Sequence, residues 1–433
     1  MSNRTNYTQT FEDFAGTGLS SDFLPLRKEA FQRFAAKGFP TTRDEEWKYT
    51  NIAALAAGEF RPASTLNAVT EKSLEPFLIA GKSIHRLVFV NGIFSSDLSK
   101  ISALPEGVLV GKLSDHRTHP AVKQHLGNIA GNTSGAMVDL NTAFIAEGAF
   151  IYVPVNVVVD EPLHFLFIND STSYPALVSP RNLFIAEAGG KVQLIESFHS
   201  IGTNNHGFTN AVTEVVTEKN AHLDLTKVQL ENSAAYHIGF TAARQHANSE
   251  FHITTITLDG AIVRNNLNIL LAEEHCTAYL YGLYCVNGSQ LVDNHSLVDH
   301  AVPNCQSNEL YKGIIDEKGQ GVFNGKIFVR KDAQKTNAYQ SNKNILLSDD
   351  ASMNTKPQLE IFADDVKCSH GTTTGQLDEE ALFYLRSRGI GEENAKAFLN
   401  TAFAGDVIQK IAYEPLRERL MELMQKKLKR QPL

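Results

Sequence analysis

The tripeptide Cys368-Ser369-His370 is where residue types and spacing come closest to chemistry. If Leu359 to Gly371 is extended, residues two apart share a face with backbone positions about 6.6 to 6.8 Å apart, so the thiol and the imidazole can converge on one ion or cluster. Thiolate and imidazole are donors suited to iron, zinc and iron–sulphur centres. Two ligands do not complete a site. Distant residues or another subunit must add the rest, and the plainer reading is a buried cysteine beside a surface histidine.

Other candidates are thinner. Of the 15 histidines, His164, His199, His222 and His252 each stand alone on a β segment, where a satisfied, half-buried histidine is the ordinary explanation. Asp293, His295, Asp299 and His300 form a denser cluster, but nothing in their spacing turns the side chains toward one point. They carry the competing class, a stand-alone cupin-like metal-binding β protein, whose domain is normally far shorter than the β region here. Gly81-Lys82-Ser83 resembles the end of a Walker A loop, yet Pro76 stands where that motif needs its earlier glycine and would remove a backbone donor. No ATP site is expected in this chain. With no G-x-S-x-G elbow and no nucleophile with an assigned base, the sequence does not read as an enzyme.

The elements that must hold these residues fall into three regions: 1–85, 86–377 and 378–433. In the first, Leu24, Leu26, Ala30, Phe31 and Phe34 recur at helical spacing through Lys37, and Gly38 with Pro40 stops the pattern. Thr41 and Thr42 then precede Asp44, Glu45 and Glu46, acids that a helix N-terminus favours, while Trp47 and Tyr49 read as packing residues. The middle region is a succession of short β-branched or aromatic runs between Gly, Asn and Asp, with almost no helical period. A phrase recurs through it: aliphatic, any, Glu, then a turn and a second strand. It appears as Ile145/Glu147/Tyr152, Ile185/Glu187/Val192, Val216/Glu218/Leu223, Leu271/Glu273/Ala278 and Ile315/Glu317/Val322. The unit is strand, tight turn, strand, spaced too unevenly for propeller blades but tolerably for solenoid rungs with inserted loops. In the third region Asp378 opens a helix ending at Gly389, Glu392 to Ile411 supplies a second, and Pro415 starts a third with a Leu416, Leu420, Leu423, Met424 stripe.

Composition bounds the partners. The 433 residues carry 40 Lys plus Arg against 48 Asp plus Glu, a net charge of −8, which offers no footprint for nucleic acid or an anionic membrane. No apolar run approaches the roughly 18 residues of a spanning helix, and the start lacks a secretory signal. Four cysteines, Cys276, Cys285, Cys305 and Cys368, form no CxxC pair, so neither a disulfide framework nor a zinc finger is indicated. A cytoplasmic protein fits best.

One long phrase is more specific than any of this. Pro357-Gln-Leu-Glu-Ile-Phe-Ala-Asp-Asp-Val-Lys-Cys-Ser-His-Gly371, continuing through Gly375-Gln-Leu-Asp-Glu-Glu-Ala-Leu-Phe-Tyr-Leu-Arg-Ser-Arg-Gly389-Ile390, closely resembles the SufB/SufD family of iron–sulphur cluster assembly proteins, in the wording of its SufD branch. Pro40-Thr-Thr-Arg-Asp-Glu-Glu-Trp-Lys-Tyr-Thr50 resembles the start of the same branch, so the likeness spans nearly the whole chain; Thr372-Thr-Thr374, where relatives often read Ala-Thr-Val, is a conservative departure. The resemblance implies a mainly β protein, with a right-handed parallel β-helix core between helical N-terminal and C-terminal domains. It also implies a scaffold without ATPase activity, paired with SufB through the core and working with the ATPase SufC, for which the C-terminal helical region Asp378 to Leu433 is the candidate contact; whether a homodimer forms without SufB stays open. The cargo it implies is a transient iron–sulphur cluster or iron at the SufB–SufD interface, with His370 as the contributed ligand and Cys368 as its neighbouring candidate.

Overall fold

The computed structural model describes residues 3–15, 23–62, 69–79, 85–131, 135–202 and 206–431; the Gly81-Lys82-Ser83 string lies outside them. Its centre is a parallel β-solenoid of about 8 turns, with helices at the termini. Fourteen strands make the regular part: β1 (Ala149–Val153), β2 (Leu163–Asp170), β3 (Arg181–Ala186), β4 (Lys191–Ile201), β5 (Phe208–Thr217), β6 (His222–Leu230), β7 (Tyr236–Gln245), β8 (Glu250–Asp259), β9 (Ile262–Leu271), β10 (Thr277–Val286), β11 (Leu291–His300), β12 (Gln306–Ile315), β13 (Gln320–Val329) and β14 (Asn337–Leu346). Odd strands pair in parallel in one sheet and even strands in the other, so every turn of the chain lays one strand on each. Parallel pairing in both sheets differs from the closed antiparallel sandwich of a cupin.

The corners from odd to even strands show why this sequence coils. Gly189, Asn220, Asn248, His275, Asn304 and Lys335 occupy equivalent corners, 27 to 31 residues apart, and all have φ between 58° and 70°. Glycine and asparagine enter that left-handed region at least cost. Successive corners are also tied to each other, as Gly189 N–H donates to Lys219 O at 2.9 Å and Asn220 N–H to Ala247 O at 2.9 Å. The uneven glutamate phrase is now explained. Glu187, Glu218 and Glu273 sit two residues before three of these corners, Glu317 lies at the opposite corner between β12 and β13, and Glu147 precedes β1.

Inward-facing side chains fill the solenoid, among them Leu163, Phe165, Leu194, Leu225, Phe251, Ile253, Leu280 and Phe323. One mouth is closed: His85–Val90 and Ile93–Lys100 form an antiparallel pair at the start of the even sheet, Leu109–Lys112 runs antiparallel to β1, and Phe94, Leu104 and Val108 pack against the core. The other mouth ends in two short strands, Ser352–Thr355 and Gln358–Ile361, and in Lys367–Gly375, the outermost strand of the even sheet, which pairs only with β14. Leu359 to Gly371 is therefore not one extended run. It is two strands in different sheets.

Helices α1 (Asn3–Ala15), α2 (Leu24–Lys37) and α3 (Ala136–Ala143) cover the odd sheet. Helix α2 ends at Gly38, φ 73°, as its pattern predicts. Its Arg27 is buried, with Nε donating 2.8 Å to Ala143 O, and Arg33 and Lys37 pair with Asp139 of α3 at 2.7 and 3.1 Å. Periodicity misses α3, because seven of its eight residues are buried and it has no polar face to alternate with. The Thr41–Glu46 stretch, which reads as a helix start, makes only a single 3-10 turn, Glu45–Trp47.

The C-terminal helices follow the sequence closely: α4 (Glu379–Ser387), α5 (Glu392–Ile408) and α6 (Glu414–Leu428). Asp378 caps α4 by accepting from the N–H groups of Glu380 and Ala381 at 2.9 and 3.1 Å. The Leu416, Leu420, Leu423, Met424 stripe is buried against Ile195, Val228, Ile256, Leu283 and Ile314 on the outer face of the even sheet. Burial of each such side chain contributes about 2 kcal/mol, which holds the unit on the solenoid.

Candidate functional site at the open mouth

Cys368 and His370 share a face of the last strand, and ladder register places that face inward. Cys368 follows Ala338, and His370 follows Gln340, Glu309, Leu280, Ile253, Leu225, Leu194 and Leu163 in one row across the even sheet. Five aliphatic rungs thus give way to Glu309, Gln340 and His370 as the row reaches the mouth. Gln340 is held by its amide, which donates 2.8 Å to Glu309 Oε2, and Gly325 makes room for it: a Cβ there would lie 2.3 Å from Gln340 Nε2. Burial pushes the Glu309 carboxyl up to about 7, against the opposing hydrogen bonds from Ser296 and Gln340.

His370 itself is exposed, because no further coil covers it, while Cys368 is half-buried against the small cluster of Ile327, Val329, Ala333 and Ala338. Burial raises the Cys368 thiol above its ordinary range, and a hydrogen bond with the Ala338 backbone offsets this in part. The strand presents one imidazole and one thiol at an unpaired sheet edge. Nothing else on this chain among the described residues completes a ligand set there.

The Asp293 to His300 cluster is divided by the fold. Asp293 and His295 face outward from the odd sheet, where the N-terminal segment Glu46–Thr50 lies over them. Arg264 joins Asp293 at 2.6 Å, Thr50 Oγ1 donates to Asp293 Oδ2 at 2.5 Å, His295 contacts Asp293 at 2.9 Å and Glu46 at 3.2 Å, and the Arg264 guanidinium lies 3.9 Å over the Trp47 ring. Burial alone would raise Asp293, but Arg264 and His295 outweigh it and hold the carboxyl at about 2. Trp47 packs, as expected, whereas Tyr49 is exposed. Asp299 pairs with Arg330 at 2.7 Å, and His300 turns inward to Ser307 at 2.9 Å. Asp293 and His295 pin the N-terminal segment, Asp299 and His300 bond elsewhere, and the four do not converge on a ligand.

His164 and His199 are buried, and burial holds both neutral with pKa values lowered to about 3. His222 and His252 are not isolated. Successive coils bring them together with Glu250 on the outer face of the even sheet, a pairing that the coil period of 27 to 31 residues would have disclosed.

Comparison with known proteins agrees with the wording of the Cys368–His370 segment. A family model described as SUF system FeS cluster assembly, SufBD core domain, matches residues 167–403, and one described as SufBD protein N-terminal region matches residues 1–165. The chain belongs to the SufB/SufD family. It is 34% identical over 406 residues to an iron–sulphur cluster assembly SufBD family protein of Synechocystis, covering 92% of this chain and 89% of the relative. It is 32% identical over 427 residues to Protein ABCI7, chloroplastic, of Arabidopsis thaliana, covering 95% and 87%. It is 30% identical over 400 residues to the iron–sulphur cluster assembly protein SufD of Escherichia coli, covering 92% and 91%. This SufB/SufD-family chain has no helix among its described residues long and apolar enough to cross a membrane.

Proposed function

We propose that the chain is the SufD-type, non-ATPase subunit of a SUF assembly complex and that its open mouth forms one half of the site where iron and sulphide become a cluster. The observation that carries this is the last strand: an unpaired, exposed edge that presents His370 from an inward-facing row and leaves its ligand set half complete. A SufB subunit added at that edge would supply backbone pairing and the missing donors, with the iron–sulphur cargo as substrate between them. His370 is the ligand offered by this chain. Cys368 is the second donor of the same face, and a metal ion would draw off the proton that burial now favours.

The SufC contact belongs to the C-terminal helices. Phe383 and Tyr384 of α4 and Phe398 of α5 are 73%, 57% and 63% exposed, apolar side chains on two helices of which α5 rests on the solenoid through its C-terminal half while α4 buries none of its residues. ATP-driven dimerisation of two SufC subunits, one held by each scaffold, would move SufB against this chain and open the mouth to iron and sulphide. In this reading the chain is a cytoplasmic scaffold, with ATP turnover in its partner.

Co-expression of the tagged chain with SufB and SufC, followed by stoichiometry and iron and sulphide analysis, tests both parts. A one-to-two-to-one SufB, SufC, SufD assembly is expected. His370→Ala should leave it intact with several-fold less cluster, and a Phe383→Ser, Phe398→Ser pair should release SufC while the chain keeps its fold. Undiminished cluster with His370→Ala discards His370 as a ligand, and SufC retained by the double variant moves its contact elsewhere.

A further inference from the structure

The outer face of the even sheet carries a second set of donors, far in register from the open mouth. β6 places His222 and Asp224 side by side on this face, and β8 places Glu250 and His252 opposite them, with His222 in register with Glu250 and Asp224 with His252. One ligand atom from each of His222, Glu250 and His252 lies within 4.8 Å of the others. His252 Nε2 is 2.5 Å from Glu250 Oε1, and His222 Nδ1 is 3.6 Å from Glu250 Oε2. The two imidazole centroids are 5.0 Å apart at 62°, and Tyr279 backs His252 at 4.5 Å. All three donors are half-buried, so an ion could reach them without unfolding the sheet.

Two features separate this group from a chance surface ion pair. The donors stand on adjacent rungs of one ladder, whose roughly 4.8 Å strand spacing fixes their backbones before any ion arrives. Donors bonded to one ion at about 2.0 to 2.2 Å lie roughly 3.2 to 3.5 Å from each other, a separation that small side-chain rotations reach from the distances found here. The second feature lies behind the site. Asp224 is 6% exposed, and its Oδ2 lies 3.8 Å from His252 Nδ1, the ring nitrogen opposite the one that faces Glu250. A carboxylate hydrogen-bonded to the far nitrogen of an imidazole orients metal-bound histidines and raises their basicity, and Asp224, at 3.8 Å just beyond hydrogen-bond length, reaches that bond by a small rotation.

We propose that His222, Glu250 and His252 bind a divalent first-row transition ion, with Asp224 as the residue that positions His252. Two imidazoles and one carboxylate suit zinc(II) and iron(II) and leave further coordination positions open. The ion replaces the proton now held between His252 Nε2 and Glu250 Oε1. This site does not depend on the assembly role, since it shares no residue with the Cys368–His370 strand.

The test uses the full-length chain, freed of metal and carrying Cys368→Ser and His370→Ala so that the mouth contributes no donor. Zinc(II) is titrated calorimetrically and cobalt(II) is followed by its visible absorption. One equivalent of either ion is expected, and adding His222→Ala and His252→Ala should weaken binding at least tenfold and abolish the cobalt bands. Glu250→Gln, which keeps the shape of the side chain, should also weaken binding at least tenfold and guards against a folding defect in the histidine variants. Asp224→Asn should keep the stoichiometry and weaken affinity about 10- to 100-fold. Absence of binding in the starting protein at 100-fold excess of ion would overturn the proposal, as would an affinity that none of these changes alters.

Discussion

Glu309 marks the rung at which the inner row of the even sheet changes from aliphatic to polar, one coil before Gln340 and two before His370. Its folded pKa, about 7, lies above an unfolded value near 4.5 because burial disfavours the charge. A group raised in this way contributes stability at low pH and loses that contribution as pH rises toward its folded value. Glu309→Gln should therefore match the parent near pH 5 and exceed it by about 2 kcal/mol at pH 8 in denaturant titrations, a gain that grows through the interval between those values. At this scale the sequence discloses only what is local. Cys368 and His370 could be paired because two residues on one extended strand share a face. His222 with Glu250, and Glu309 with Gln340, are separated by 28 and 31 residues and meet only when the coil length is known.

Among the elements, the N-terminal segment Glu45–Thr50 illustrates how a motif can serve packing instead of chemistry. Its contacts converge on Asp293 and Arg264, which are 1% and 2% exposed. Asp293→Ala would leave the Arg264 guanidinium buried without its counter-charge and free both Thr50 and His295. A loss of about 3 to 5 kcal/mol is expected in urea unfolding. Helix boundaries were readable where a cap or stop was local, as at Gly38, Asp378 and Gly389, and unreadable for α3, whose burial on all sides erases periodicity. The coil repeat was half visible. Its corner residues are Gly, Asn, Asn, His, Asn and Lys, one backbone conformation expressed through four residue types, so identity alone does not show the period.

For the molecule as a whole, stability is shared between neighbouring coils, as in any quasi-one-dimensional stack. Central strands have a partner on each side, while Lys367–Gly375 has only β14. Amide exchange of the isolated chain should accordingly be slowest in β6 to β12 and markedly faster in the last strand, and binding of SufB should slow the last strand selectively. Exchange of Lys367–Gly375 unaffected by SufB would place the partner elsewhere.

The two mouths of the solenoid differ, and this difference limits what the protein can build. A stack with bare edges at both ends can recruit copies indefinitely and grow into a fibre. Here one end is turned aside by antiparallel strands and plugged by Phe94, Leu104 and Val108, so that, among the described residues, the parallel strands of the two sheets end bare only at the other mouth, in Lys367–Gly375, Ser352–Thr355 and Gln358–Ile361. Joining of units open at one end alone would stop at a pair, with the closed mouth as the chain terminator.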